Sequence, residues 1–251
     1  RGRAERGSGH GSLLAAVVYA KAGRGLRKLL TKWRWLVAAL ALIAVGWTLS
    51  SRESYHPPFQ VAIYDGKFIA TGVIQRGSAS TLRTMVNWYP RIRTLVLLRV
   101  PGSIDFDNDW AMVRLIREAG LTTVVPAHGL VASGGTDLFI AGTERRMEQG
   151  ACIGVHSWEE GFWSPFGTLF SHEGRDADPD DPNHARYLRE LRRLGMPSAF
   201  YWFALKAAPH DGMHWMSVAE VERFNLATSM QGASKEPDDN DCQNRIFWGP
   251  D

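Results

Sequence analysis

The feature that most constrains the fold is a near-continuous apolar run, TLVLLRV, at residues 94–100. Such a run suits a strand that is buried on both faces of a parallel sheet. A helical pattern at 78–88 precedes it, another at 109–119 ends at Gly120, and a second apolar strand follows at 121–125. Strands that alternate with helices at this spacing indicate an α/β fold.

The same alternation continues on both sides of this unit. A β-hairpin with an Asp65-Gly66 turn is predicted upstream, because an Asp-Gly pair between alternating apolar residues is a strong hairpin signal. Downstream, the pattern predicts a further strand and three helical segments. The predicted elements are the hairpin at 59–74, an apolar helical stretch at 133–141, a strand at 151–155, and helices at 183–194 and 217–224.

The charge of the chain is distributed unevenly. Residues 1–34 hold nine Lys and Arg and one Glu, a net charge of +8, although the whole chain carries only +3. Residues 35–251 hold 20 Lys and Arg against 25 Asp and Glu, a net charge of −5. The basic character therefore belongs to an N-terminal arm and not to a globular face, and no nucleic-acid partner is predicted.

An uncharged apolar segment, WLVAALALIAVGWTLSS at 35–51, follows the basic arm. Tryptophans near both of its ends and the uncompensated cations before it are typical of a transmembrane signal anchor in contact with membrane lipid. This predicts a cytoplasmic arm at 1–34, a single span of the inner (cytoplasmic) membrane at 35–51, a linker at 52–58, and an extracytoplasmic remainder. A cleaved signal peptide and a buried core helix are the alternative interpretations.

Three short segments carry the candidate chemistry: VPGS at 100–103, GLVASGGT at 129–136, and IGVH at 153–156. Small residues around Ser133 let a strand turn sharply into a helix and leave the hydroxyl exposed. A serine hydroxyl needs a nearby base, and His156 is the best-placed candidate. A tetrahedral oxyanion needs backbone N–H donors, which Gly134 and Ser103 would supply.

These segments resemble the Clp-type serine proteases, which belong to the larger Clp/crotonase fold. The family's nucleophile motif, G-x-A-A-S-x-G-x-x-(I/L)-x-x-A-G, is similar to residues 129–142, and its S-P-G-G oxyanion segment is similar to residues 100–103. Its closing segment is similar to residues 215–226. Closer still are membrane-anchored or periplasmic Clp-like proteins of bacteria, whose R-R element corresponds to Arg145-Arg146.

The resemblance implies an α/β spiral of βαβ units over 59–231, followed by a polar tail at 232–251. It implies a serine peptidase that hydrolyses a peptide or protein substrate without a cofactor, and that can form a homo-oligomer. Asp211 lies near the region where the family keeps its third catalytic residue. Three features depart from the family pattern. Ser103 replaces a glycine, Asp137 puts a carboxylate in a helix that is normally apolar there, and the local match around Asp211 is offset. A dyad of Ser133 and His156 without a third residue is therefore an alternative.

Two other functions stay open at this point. One is a catalytically inactive Clp-fold protein that binds peptides or acts as a scaffold of the cell envelope. The other is an acyl-CoA enzyme of the crotonase type, which the pairing of Ser133 with His156 disfavours.

His172, His184 and the acidic run at 176–181 lack metal-ligand spacing, so we interpret them as a solvated loop and predict no metal site. Two cysteines are too few for a disulfide scaffold, and Cys152 is predicted to be a buried apolar residue.

Overall fold

The computed structural model of the chain describes residues 57–164, 167–232 and 238–247. The predicted cytoplasmic arm at 1–34 and the predicted anchor at 35–51 lie outside these residues, as does most of the linker at 52–58. Within the three described ranges, no helix has the length and apolar character needed to span a bilayer.

Strands and helices alternate along the described residues. The strands are β1 (Gln60–Tyr64), β2 (Lys67–Thr71), β3 (Thr94–Val100), β4 (Thr122–Val125), β5 (Leu130–Ala132), β6 (Glu144–Glu148), β7 (Cys152–Val155), β8 (Glu159–Ser164), β9 (Gly167–Glu173), β10 (His214–Trp215) and β11 (Ser229–Gln231). The helices are α1 (Ser78–Trp88), α2 (Phe106–Glu118), α3 (Gly134–Ile140), α4 (Pro182–Leu194), α5 (Ser198–Ala207), α6 (Val218–Arg223) and α7 (Asp239–Phe247).

Strand β3 is the point at which the sheet forks. Its first residues pair with β4, and β4 continues to β6 and β11; its last residues pair with β5, and β5 continues to β7 and β10. Strand β2 pairs along the other edge of β3 and carries β1 as an antiparallel hairpin. All pairs in both branches are parallel except β7 with β10, whereas β8 and β9 form a separate antiparallel hairpin.

The branch that contains β5 and β7 positions the predicted site. In the register of the sheet, Val100 pairs with Val131, and Val131 pairs with Ile153. The carboxyl ends of β3, β5 and β7 are therefore neighbours, and the segments predicted to carry the chemistry follow these three strands. Ligands of open parallel sheets bind at this edge.

The helices pack on the sheet through apolar faces that the sequence sets. Leu97 on β3, Trp110 on α2 and Phe139 on α3 are at most 1% exposed and belong to one hydrophobic core. Helix α2 begins after Asp105, whose carboxylate accepts the Asn108 amide N–H as an N-cap. These contacts fix α2 and α3 beside the end of β3.

The segment predicted as a polar tail, 232–251, contains a helix. Helix α7 packs under β5 and β7 in a second hydrophobic cluster, where Cys242 and Cys152 form a disulfide across 90 residues of sequence. The sequence analysis took Cys152 as a buried apolar residue; it is buried, but it is also bonded. The bond and the apolar contacts of α7 are the physical reason why this part of the tail is ordered as a helix.

Candidate active site

Ser133 occupies a sharp turn between β5 and α3. Its backbone has φ 52° and ψ −124°, a region that residues with a Cβ seldom adopt. The turn is held by the Ser133 N–H, which donates to the Gly154 carbonyl at 3.1 Å. A Cβ on Gly135 would lie 1.9 Å from the Val100 carbonyl oxygen, so only glycine lets α3 start this close to the end of β3. The sequence GLVASGG therefore folds into an elbow that presents the Ser133 side chain.

His156 directly follows β7 and lines the same two cavities as Ser133. Burial lowers the pKa of the His156 imidazole, and the nearby backbone of His210 and the charge of Glu173 raise it in part. The buried Nδ1 atom has no hydrogen-bond partner within the described residues. A lowered pKa keeps the ring neutral near pH 7, the form in which imidazole can accept a proton.

The two predicted oxyanion donors lie side by side. The Cβ of Ser103 is 2.6 Å from the position that a Cβ on Gly134 would occupy. Among the described residues, neither the Ser103 amide nor the Gly134 amide has a hydrogen-bond acceptor. Ser103 does not need a positive φ, so the serine that replaces a family glycine fits without backbone strain. Both amides are free to bind a developing negative charge.

Asp211, the predicted third catalytic residue, lies outside the two cavities that Ser133 and His156 share. Its side chain is exposed. The carboxylate whose charge raises the pKa of His156 is that of Glu173 at the end of β9. Glu173 also accepts the His210 backbone N–H at 2.8 Å, and so anchors the segment just before Asp211.

Sequence reasoning missed Glu173 because it did not predict the β8–β9 hairpin. The signal available in the sequence was weak: alternating polar and aromatic residues on both sides of Pro165. Nothing in that pattern indicates which carboxylate would approach His156, since the approach depends on how the hairpin folds back.

Two cavities meet at Ser133 and His156. The larger, of about 340 Å³, also contains Ser103, Gly134 and Asp109 among its lining residues. The smaller, of about 50 Å³, has walls that are largely apolar and aromatic. Trp158 and Tyr187 line both. There is thus space on two sides of the Ser133 side chain.

A pair of buried carboxyl groups underlies this site. Asp137 on α3 is 4% exposed and Asp109 on α2 is 2% exposed. Burial raises the pKa of Asp137 to about 7, although hydrogen bonds from Tyr187 and Asp109 lower it in part. Burial, and then the charge of Asp137, raises the pKa of Asp109 well above its ordinary value. The Tyr187 hydroxyl donates to Asp137 Oδ2 at 2.6 Å. The carboxylate that departs from the family pattern is therefore buried and hydrogen bonded.

The histidines near the acidic run have separate partners. His172 pairs with Asp181 at 3.0 Å, whereas the ring of His184 is buried and its Nδ1 lies 2.6 Å from the Tyr201 hydroxyl. In the ranges that the structure describes, no three His, Cys, Asp or Glu side chains are grouped so that they could hold a metal ion.

Neither a protein-family model nor a curated protein matches the chain. Solved structures of low identity do match. A mutant of the 1510-N membrane-bound stomatin-specific protease, in complex with a substrate peptide, is 13% identical, with 71% of this chain and 77% of that chain covered and a TM-score of 0.47. ClpP1 from Listeria monocytogenes is 14% identical, with 70% and 94% covered and a TM-score of 0.44. A methylmalonyl CoA decarboxylase is 9% identical, with 70% and 68% covered and a TM-score of 0.44. These similarities concern the fold, which Clp-type proteases and crotonases share.

Proposed function

We propose that this chain is a serine peptidase in which Ser133 is the nucleophile and His156 the general base. The observation that carries the proposal is the arrangement at the carboxyl edge of the sheet. Ser133 sits in a positive-φ elbow and shares two cavities with a half-buried histidine of lowered pKa, next to two free amides. Nucleophile, base and oxyanion donors are the three components that acyl transfer requires.

The chemistry proceeds in two stages. Ser133 Oγ bonds to the carbonyl carbon of the substrate while its proton passes to His156, and the resulting oxyanion is held by the amides of Ser103 and Gly134. Collapse of this intermediate breaks the C–N bond, and His156 gives the proton to the leaving amine. A water then attacks the acyl-enzyme, transfers a proton to His156, and releases the acid as Ser133 recovers its proton.

In this proposal the residue that supports His156 as a base is Glu173 and not Asp211. The Glu173 carboxylate accepts the His210 backbone N–H, and its charge stabilises the imidazolium that forms on His156 during attack. A carboxylate near the base favours the charged form of its ring in this way.

Labelling with a fluorophosphonate probe tests the proposal, because such probes react only with an activated serine. We expect the 251-residue chain to be labelled and the Ser133→Ala variant not to be labelled at all. The His156→Ala variant should be labelled at a rate that is lower by a factor of about 10³ or more. Ser80→Ala and His128→Ala are matched controls, since neither residue lines the two cavities, and they should be labelled like the wild type. A folded wild-type chain that resists the probe would instead favour the inactive peptide-binding or scaffold function.

We also propose that residues 35–51 anchor the chain in the inner membrane and that the described residues face the extracytoplasmic side. The apolar segment and its basic flank support the anchor. The Cys152–Cys242 disulfide supports the location, because disulfides persist in oxidising compartments. Carbonate extraction of membranes, and thiol alkylation of intact cells before and after reduction, test the two parts. Alkylation of both cysteines without reduction would contradict the location.

A further inference from the structure

The smaller cavity at Ser133 combines an apolar wall with one acidic group. Aliphatic and aromatic side chains supply most of its surface, including Val155, Leu191 and Leu205. Asp137 also lines it, one helical turn after Ser133 and so on the same side of α3. Apart from His156, no basic side chain lines this cavity in the described part of the chain. A group that enters it from the reacting carbonyl would meet both the apolar wall and a carboxyl group.

The acidic group has unused acceptor capacity. Asp137 is hydrogen bonded to Asp109 and to the Tyr187 hydroxyl, and among the described residues no Lys or Arg side chain pairs with either carboxyl group. Asp109 lines the larger cavity and not this one, and its buried Oδ1 has no hydrogen-bond partner in the described residues. The carboxyl group that a ligand in the smaller cavity can reach is therefore that of Asp137, whose two oxygens can each accept more than one hydrogen bond.

The size of the cavity limits what can enter. A volume of about 50 Å³ has room for roughly three to five groups of the size of a water molecule. The alkyl stem and ammonium of lysine match that room, and the stem would lie against the aliphatic wall while the charge reaches a polar end. The larger planar guanidinium of arginine exceeds it. The Tyr187 and Trp158 rings add aromatic faces that attract a cation.

We propose that this cavity is a specificity pocket for a lysine side chain of the peptide substrate, with its ammonium held by Asp137. The proposal rests on the proposed peptidase function, since it assigns the substrate class of that same site. The ammonium favours the ionised form of Asp137 and serves as its counter-ion, and in return it gains an acceptor in a partly desolvated cavity.

Peptidyl aminomethylcoumarin substrates that differ only in the residue before the coumarin test this proposal on the 251-residue chain. Lysine, norleucine and arginine are compared, because norleucine keeps the straight stem and removes the charge. We expect kcat/KM for lysine to exceed that for norleucine and for arginine by at least about tenfold. In Asp137→Asn we expect the lysine preference to disappear while norleucine is still cleaved. Asp176→Asn, an exposed substitution with the same charge change, should keep the preference.

The outcomes separate the two proposals. A chain that is labelled by fluorophosphonate but cleaves norleucine as well as lysine, or prefers arginine, overturns the pocket and leaves the peptidase function intact. A chain that is neither labelled nor active overturns the peptidase function. In that case calorimetric titration with the lysine and norleucine tripeptide amides measures the pocket directly, and equal affinities would refute it. The wild-type comparison is decisive even if Asp137→Asn does not fold.

Discussion

Replacing Asp137 with asparagine should stabilise the folded protein, and more so at alkaline pH. The buried carboxyl group has a pKa of about 7 against an ordinary value of 3.8, because burial penalises its charged form. Between these two values the folded state keeps a proton that the unfolded state has released. The free energy of unfolding therefore falls as pH rises through this window, and the whole loss is in place above pH 7.

The magnitude follows from the size of the shift. About three pKa units at 1.36 kcal/mol each amount to a loss of about 4 kcal/mol above pH 7, and about 1.5 kcal/mol of it is already present at pH 5. The asparagine carries no charge and keeps an oxygen that can accept the Tyr187 hydroxyl. Burial, the largest cause, still raises the pKa of Asp109 after the charge of Asp137 is removed, so the variant should lose part of the pH dependence and not all of it.

Urea unfolding of the 251-residue chain, followed by tryptophan fluorescence at pH 5 and pH 8, measures both values. We expect Asp137→Asn to gain about 1.5 kcal/mol at pH 5 and about 4 kcal/mol at pH 8 relative to the wild type. The exposed substitution Asp176→Asn should change stability by less than about 0.5 kcal/mol at either pH. Equal gains at the two pH values, or a loss at pH 8, would refute the reasoning that burial holds a proton on Asp137.

Two further predictions concern the base and the disulfide. Glu173→Gln removes the charge that raises the pKa of His156, so the acidic limb of the pH profile of kcat/KM should move to lower pH. Asp211→Asn should leave that limb in place. The opposite pattern would make Asp211 the third catalytic residue. Reduction of the disulfide between Cys152 and Cys242, or its loss in Cys242→Ser, should lower the free energy of unfolding by roughly 2–4 kcal/mol, as measured by urea unfolding with and without reductant. An unchanged midpoint would show that the bond does not restrain the unfolded chain.

The helices and strands whose bounds depend on neighbouring residues in the sequence were predictable. The helix predicted at 78–88 is Ser78–Trp88, and the strand predicted at 94–100 is Thr94–Val100. In both, the apolar spacing and the flanking breakers, such as Pro90 and Pro101, set the bounds. The order of the segments also placed Ser133 and His156 at the same edge of the sheet, because parallel strands share an edge for their carboxyl ends.

What depends on distant partners was not predictable. Asp137 looked anomalous because its partner, Asp109, lies 28 positions earlier in the chain and on another helix. The bond from Cys152 to Cys242 cannot be read from the spacing of a single pair of cysteines. The same applies to Glu173, which reaches the site only because a hairpin folds back over it.

The Cys152–Cys242 bond also closes a covalent ring of the chain. Every residue from 153 to 241 lies inside it, including His156, the β8–β9 hairpin, and helices α4 and α5, which form part of the wall of the smaller cavity. A single proteolytic cut in this span, for instance at an exposed loop such as the acidic run, would leave both fragments joined. The chain would in this way stay in one piece after a nick that would otherwise separate His156 from the residues that follow the cut.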